Sequence, residues 1–280
     1  MEVILSDEIG FCSGVRIALK KLDEVLKTKG KERVYSIGEI IHNEEVIRQY
    51  KEKGVDIVDS IEEIEDGIGV VRAHGLPMSI VEGAKAKGYK IVDATCPFVR
   101  NISRIIEKEI SESSEVYLIG EPEHPEVIAS SFDYKEDISI VDFNHFDPDQ
   151  LDLKVKKCAI VSQTTLEEDR FIEIAGFFIR KCSETHIYNT ICPAAKNRQK
   201  SAMEVAKKVD LMIVLGGQKS SNTKRLFEVC SKFTRAVHVE RITELDKTTL
   251  EGVKRVGIAA GTSTPDWIIE EAVQFLKRFR

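Results

Sequence analysis

Short apolar runs rich in branched residues alternate with longer stretches of helical periodicity along the chain. The runs typical of β-strands are E-V-I-L, V-Y-S-I, Y-K-I-V, E-V-Y-L-I, T-H-I-Y and L-M-I-V-L. Helical patterns follow at Val15–Lys27, Val99–Ser111 and Asn197–Lys208. Strands that alternate with helices are typical of mainly parallel sheets with right-handed crossovers. The pattern therefore predicts an α/β fold.

The same landmarks recur three times in the sequence. A shift of 96 residues takes Cys96 to Cys192, Asn101 to Asn197, Gly120 to Gly216, His124 to Ser220 and Glu126 to Asn222. The first third repeats more loosely, because Cys12 precedes Gly38 by 26 residues, whereas the other two pairs are 24 residues apart. His42 and Glu44 follow Gly38 at the corresponding four and six residues. We therefore expect three α/β lobes of roughly 90 residues each.

A later landmark completes each repeat, at His74, Thr164 and Ser263, and each of them follows an apolar run. Ligands of open parallel sheets bind outside the carboxyl ends of the strands. The landmarks of one lobe should therefore gather at one sheet edge. Three such edges facing a common axis would form one polar pocket with three thiols at its base.

Composition narrows the class of protein. The 280 residues carry a formal net charge of −6, which does not favour nucleic acid as a partner. We find no apolar stretch of the roughly 18 residues that a membrane span needs, and the first residues lack the basic region of a secretory signal. We expect a cytoplasmic protein without a membrane partner. In that compartment, six cysteines favour metal or redox chemistry over a disulfide framework.

The cysteines divide into two groups. Cys158, Cys182 and Cys230 lie outside the repeat, and we expect them to be buried apolar residues. Cys12, Cys96 and Cys192 precede helical patterns, and a helix N-terminus favours the thiolate form. Three thiolates without a local Cys-x-x-Cys pair select iron–sulfur or zinc. His145, His186 and His238 also lie outside the landmarks, and we expect structural or surface roles for them.

Nine motifs occur in a fixed order from Phe11 to Asp266: G-F-C-S-G-V, H-N-E-E-V, R-A-H-G, D-A-T-C-P-F-V, H-P-E-V, S-Q-T-T-L, N-T-I-C-P, S-S-N-T-x-R-L and G-T-S-T-P-D. This series resembles that of the LytB family, the 4-hydroxy-3-methylbut-2-enyl diphosphate reductases. The resemblance implies three pseudo-three-fold-related α/β lobes around a central iron–sulfur cluster. It also implies lobe limits of 13–96, 97–192 and 193–280, the last completed by residues 1–12.

The resemblance further implies the last step of the methylerythritol phosphate route to isoprenoids, the reductive dehydroxylation of this diphosphate to isopentenyl and dimethylallyl diphosphates. Cys12, Cys96 and Cys192 would hold one 4Fe-4S cluster with one open iron. Glu126 would donate a proton, helped by Thr164 and His124. The residues implied to bind substrate are His42, His74, His124, Thr164, Ser220, Ser221, Asn222 and Ser263.

Other functions share parts of this pattern. An iron–sulfur dehydratase of the quinolinate synthase kind would use the open iron without net reduction. A redox sensor would need a partner surface instead of a substrate, and a structural zinc protein would contain no sulfide. No Gly-x-Gly-x-x-Gly follows a strand, so direct nicotinamide binding is not indicated. The family resemblance instead implies reduced ferredoxin or flavodoxin as the electron donor.

Overall fold

A computed structural model of the chain describes residues 1–151, 153 and 156–278. The strands of this part are β1 Glu2–Leu5, β2 Val34–Ile37, β3 Val55–Val58, β4 Ile68–Val71, β5 Lys90–Asp93, β6 Glu115–Ile119, β7 Ile138–Val141, β8 Lys157–Ser162, β9 Glu184–Ile187, β10 Leu211–Leu215, β11 Arg235–Val239 and β12 Arg255–Ala260. Its α-helices are α1 Ser13–Thr28, α2 Glu44–Glu52, α3 Met78–Ala86, α4 Pro97–Ser111, α5 Pro125–Ser131, α6 Glu168–Lys181, α7 Pro193–Ala206, α8 Ser221–Ser231 and α9 Asp266–Arg278. None of these helices is long and apolar enough to cross a membrane.

Within the described residues, the strands form three four-stranded parallel sheets with one topology. The first sheet has the order β3-β2-β4-β5, the second β7-β6-β8-β9, and the third β11-β10-β12-β1. In each sheet, the strand that precedes a cysteine lies at one edge and pairs with the strand that leads to the later landmark. The predicted α/β fold with three parallel lobes is confirmed.

The β1 strand reaches the third sheet from the opposite end of the sequence. Glu2 pairs with Arg255 and Leu5 with Ile258, so β1 extends the β12 edge in parallel register. Parallel strands of α/β proteins are covered on both faces, and their sequences are therefore continuously apolar. All five residues of β10 are buried, in agreement with this rule.

The three predicted helices are confirmed. Each begins two to four residues earlier than predicted, and α7 ends two residues earlier, at Ala206. In α4, Cys96 is the N-cap and Pro97 takes the first helical position, where its missing N–H does no harm. Pro193 begins α7 in the same way. The apolar face of α4 buries Val99, Ile102 and Ile106, the last two of which join the core of the second sheet.

The chain divides into two compact units. Unit 1 comprises Met1–Arg16, Ile41–Lys53 and Pro193–Arg280, and contains the third sheet and α2. Unit 2 comprises Ile17–Ile40 and Gly54–Cys192, and contains the first and second sheets. The lobe limits implied by the family resemblance stay a prediction. Residues 152, 154, 155, 279 and 280 within those limits lie outside the described part of the chain.

Candidate active site

Each repeat cysteine is held in the same way. Its backbone N–H donates to a carbonyl oxygen in the loop that follows the neighbouring strand. These bonds join Cys12 to Thr262 (3.1 Å), Cys96 to Ala73 (2.9 Å) and Cys192 to Thr164 (2.8 Å). The three thiols therefore occupy equivalent positions, each in the loop after an edge strand and directly before a helix. Cys12 belongs to unit 1, whereas Cys96 and Cys192 belong to unit 2.

Solvent exposure separates the two groups of cysteines. Cys12, Cys96 and Cys192 are partly exposed, whereas the other three are buried. The Val15 N–H in the first turn of α1 lies 3.4 Å from the Cys12 Sγ and donates to it. By contrast, burial raises the pKa of the Cys230 thiol to about 12. The repeat thiols are thus the accessible ones, and the predicted burial of Cys158, Cys182 and Cys230 is confirmed.

Glu126 lies in the first turn of α5 and is only 2% exposed. Its Oε1 accepts the Thr164 backbone N–H at 2.6 Å, and its Oε2 accepts the Thr164 hydroxyl at 2.7 Å. Burial raises the pKa of Glu126 to about 7, although the two Thr164 hydrogen bonds oppose this shift. Near neutral pH, this carboxyl group can therefore hold a proton and release it.

Two histidines of the predicted site lie together in unit 2. His124 is the N-cap of α5, and its Nδ1 accepts the Glu126 backbone N–H at 3.2 Å. The His74 ring meets the His124 ring edge to face, with 5.6 Å between centroids. His74, His124, Glu126 and Thr164 thus form a connected group, and Thr164 extends it to Cys192 through its carbonyl oxygen.

The remaining predicted substrate ligands lie in unit 1. Ser220 is the N-cap of α8, and its Oγ accepts the Thr223 N–H at 3.4 Å. Ser221 and Asn222 follow in the first helical turn, and both are buried. A helix N-terminus offers unpaired N–H groups and a positive potential. The segment therefore favours an anion.

His42 and Ser263 are brought together in the same unit. The Ser263 hydroxyl donates to the His42 carbonyl oxygen at 2.9 Å. Gly217 also approaches this carbonyl, because a Cβ added to Gly217 would lie 2.6 Å from the same oxygen. A glycine is needed at this close approach of two backbone segments.

Asn222 is the most informative member of this group. Its side chain is buried, at 3% exposure, yet neither its Oδ1 nor its Nδ2 has a hydrogen-bond partner among the described residues. An unsatisfied buried polar group costs about 1–3 kcal/mol. An amide with both atoms unsatisfied at a helix N-terminus indicates a polar ligand.

One predicted equivalence is wrong by a residue. The N-cap of α2 is Asn43, whose side chain accepts the Val46 N–H at 3.1 Å. Asn43 rather than His42 therefore corresponds to the caps His124 and Ser220. The loop after Gly38 contains one more residue than its two counterparts, and the four-residue spacing conceals this difference. The substrate contact implied for His42 does not depend on which residue caps α2.

Comparison with known proteins places the chain in a family. The family model described as LytB protein matches residues 3–277. The chain belongs to the LytB family. Two relatives named 4-hydroxy-3-methylbut-2-enyl diphosphate reductase come from Clostridioides difficile, 39% identical over 99% of both chains, and Alkaliphilus oremlandii, 36% identical over 98% of both. The resemblance read from the nine motifs is confirmed.

Solved structures agree with this LytB assignment. The E-1-hydroxy-2-methyl-but-2-enyl-4-diphosphate reductase of Plasmodium falciparum has a TM-score of 0.93 and 30% identity, over 99% of this chain and 89% of its own. A second structure is named (E)-4-hydroxy-3-methyl-but-2-enyl diphosphate reductase, the terminal enzyme of the non-mevalonate pathway. It has a TM-score of 0.69 and 35% identity over 99% of both chains. LytB enzymes are iron–sulfur proteins.

The histidines outside the landmarks of this LytB chain make structural contacts, as predicted. The His145 Nδ1 lies 2.8 Å from the Asp142 Oδ2, and the His238 Nε2 lies 2.8 Å from the Gly216 carbonyl oxygen. His186 bonds Glu109 at 2.9 Å. Burial alone would raise the pKa of Glu109, but hydrogen bonds from Tyr188, Ser114 and His186 lower it to about 2.

Sequence reasoning gave no role to Gln163, which is completely buried. Its Oε1 accepts the Glu121 N–H at 3.0 Å, and its Nε2 donates to the Thr165 hydroxyl at 3.0 Å. Gln163 therefore ties the loop that leads to Glu126 to the loop that contains Thr164. Its place in the S-Q-T-T motif was the available signal.

Proposed function

We propose that this chain is a 4-hydroxy-3-methylbut-2-enyl diphosphate reductase, which removes the substrate hydroxyl with two electrons and two protons. The products would be isopentenyl and dimethylallyl diphosphates. The observation that carries the proposal is Glu126, a buried carboxyl group with a pKa of about 7 in the unit that also contains Cys96 and Cys192. The relatives that match almost the whole chain are named for this activity.

The cofactor of the proposed enzyme is one 4Fe-4S cluster bound by Cys12, Cys96 and Cys192, with one iron open. The donor set fits this group, because three thiols in equivalent positions are partly exposed while the other cysteines are buried. Helix N-termini beside the thiols favour the thiolate form. When bound, the cluster would supply electrons and a Lewis-acidic iron.

Glu126 is the proposed proton donor for departure of the hydroxyl as water. Thr164 holds both carboxyl oxygens, which fixes the direction of the acid. His124 caps the helix from which Glu126 projects, and thereby sets the position of its backbone. General acid catalysis by such a group contributes about 10²–10⁴-fold to the rate.

The diphosphate is proposed to bind His42, His74, Ser220, Ser221, Asn222 and Ser263, with His124 nearby. Asn222 supports this assignment, since its buried amide lacks a partner among the described residues. The α8 N-terminus adds backbone N–H donors and a favourable dipole. The electron donor is proposed to be reduced ferredoxin or flavodoxin.

Anaerobic reconstitution with iron and sulfide, followed by a reduction assay with the hydroxylated diphosphate, tests the function. The proposal expects both isopentenyl and dimethylallyl diphosphates, formed only when a reductant such as reduced methyl viologen is present. Turnover that needs no reductant would instead indicate a dehydratase. A reconstituted protein that binds the cluster but converts no substrate would refute the proposed reaction.

A further inference from the structure

The loop that leads to Cys12 is longer than its two counterparts. The Cys12 loop, defined here as Ser6–Phe11, contains six residues between β1 and the cysteine. Two residues separate β5 from Cys96, and four separate β9 from Cys192. A longer loop has more conformational freedom, so fixing its end requires additional contacts. The position of the Cys12 thiol therefore depends on what holds this loop.

Arg198 on α7 supplies much of that support. It is only 3% exposed, although arginine is rarely buried. Its Nη1 donates to the Glu8 carbonyl oxygen at 3.3 Å, and its Nη2 donates to the Gly10 carbonyl oxygen. The same Nη1 donates to the Ala260 carbonyl oxygen at 3.0 Å. One guanidinium thus joins two points of the Cys12 loop to the end of β12.

Arg198 contacts both segments that are joined by the backbone hydrogen bond of Cys12, the Cys12 loop and the end of β12. Two residues beyond Ala260, the Thr262 carbonyl oxygen accepts the Cys12 N–H at 3.1 Å. At the start of the loop, the Asp7 N–H donates to Ser201 Oγ at 2.8 Å. Ser201 lies three residues after Arg198, on the same face of α7. All these contacts are within unit 1.

We propose that Arg198 is a positioning residue that holds the Cys12 thiol ready for cluster ligation. Its planar fork reaches several carbonyl oxygens at once, which a lysine cannot reproduce fully. No repeat landmark falls on Arg198. The inference rests on the proposed function, because it assigns Cys12 to the cluster, but it concerns the loop and not the reaction.

The test follows the three cysteines in the reconstituted holoprotein without oxygen. A chelator removes iron slowly in the presence of iodoacetamide, and peptide mass mapping records which cysteine is alkylated first. In R198Q, Cys12 should be alkylated about tenfold faster relative to Cys96 and Cys192 than in the wild type, because charged hydrogen bonds to the loop are lost. R198K should be intermediate, at roughly threefold.

Arg241→Gln is the matched control. Arg241 belongs to the same unit and is half buried, but it pairs with Glu271 at 2.6 Å and with Glu45 at 3.6 Å instead of the Cys12 loop. Its substitution should leave the order of alkylation unchanged. The electron paramagnetic resonance spectrum of the reduced cluster should change in R198Q and be unaltered in R241Q.

Equal acceleration at all three cysteines in R198Q would show general destabilisation and overturn the proposal, as would an unchanged Cys12 ratio. If R198Q does not fold, the decision rests on R198K, where an unchanged ratio overturns it. A wild-type protein that binds neither iron nor sulfide would instead refute the proposed function.

Discussion

Replacing Glu126 by glutamine tests the proton donor while preserving its surroundings. The glutamine carbonyl oxygen can still accept the Thr164 N–H, which lies 2.6 Å from Oε1 in the wild type. The new amide can donate to the Thr164 hydroxyl, which now acts as an acceptor. We therefore expect the cluster content and the melting temperature to remain close to those of the wild type, while the donated proton is lost.

The expected loss in kcat is about 10²–10⁴-fold, the usual contribution of a general acid. In the wild type, the pKa of Glu126 is about 7, so the protonated donor prevails below pH 7. The value of kcat/KM should fall about tenfold for each pH unit above that value. Thr164→Val removes one of the hydrogen bonds that lower this pKa, and should move the basic limb to higher pH.

The assay follows oxidation of reduced methyl viologen without oxygen from pH 6 to pH 9. Saturating hydroxylated diphosphate gives kcat, and concentrations well below KM give kcat/KM, which reports the pKa of the substrate-free enzyme. Glu126→Asp, which keeps the acid but shortens its reach, provides the comparison for position. Activity of Glu126→Gln within about tenfold of the wild type would refute the assignment. A basic limb that is identical in Thr164→Val would show that another group controls it.

Three further substitutions have distinct expected results. Asn222→Ala should raise KM about tenfold and leave the urea-unfolding free energy within about 0.5 kcal/mol of the wild-type value, because the buried Asn222 amide has no partner among the described residues. A clear loss of stability would contradict this. Gly217→Ala should raise KM more than it lowers kcat, since its Cβ would press on the His42 carbonyl oxygen, and unaltered kinetics would count against that contact. Glu109→Gln should lower the unfolding free energy by about 2 kcal/mol at pH 7.5, whereas Glu112→Gln, at an exposed position, should not. The stability that the Glu109 carboxylate contributes is fully present above its ordinary pKa of 4.5 and is lost as the pH falls towards 2. Equal urea midpoints for the two variants would contradict this contribution.

Local patterns were sufficient to predict the repeated frame. Apolar runs marked β2, β6 and β10, and the fixed spacing after them aligned His124 with Ser220, which the structure shows to be helix N-caps. These features are local, because a parallel strand is buried on both faces and a helix cap follows directly in sequence. The residues that the 96-residue shift aligns, such as Cys96 and Cys192, therefore occupy equivalent positions in the structure.

Other features depend on contacts that no local pattern shows. The strands β3, β7 and β11 are four or five residues long and are interrupted by polar residues, and the predicted runs do not include them. The loop after Gly38 contains one added residue. The four-residue spacing therefore aligned His42 with His124 and Ser220, although the N-cap of α2 is Asn43. Arg198 acts on carbonyl oxygens about 190 residues away in the sequence, and such contacts leave no sequence periodicity.

The most direct test of the central claim is the iron and acid-labile sulfide content of the reconstituted protein and its single Cys→Ser variants. We expect about four irons and four sulfides per chain in the wild type and in C158S. C12S, C96S and C192S should each lose most of both. Full iron and sulfide in any one of these three variants, or zinc without sulfide in the wild type, would contradict a cluster held by the three repeat cysteines.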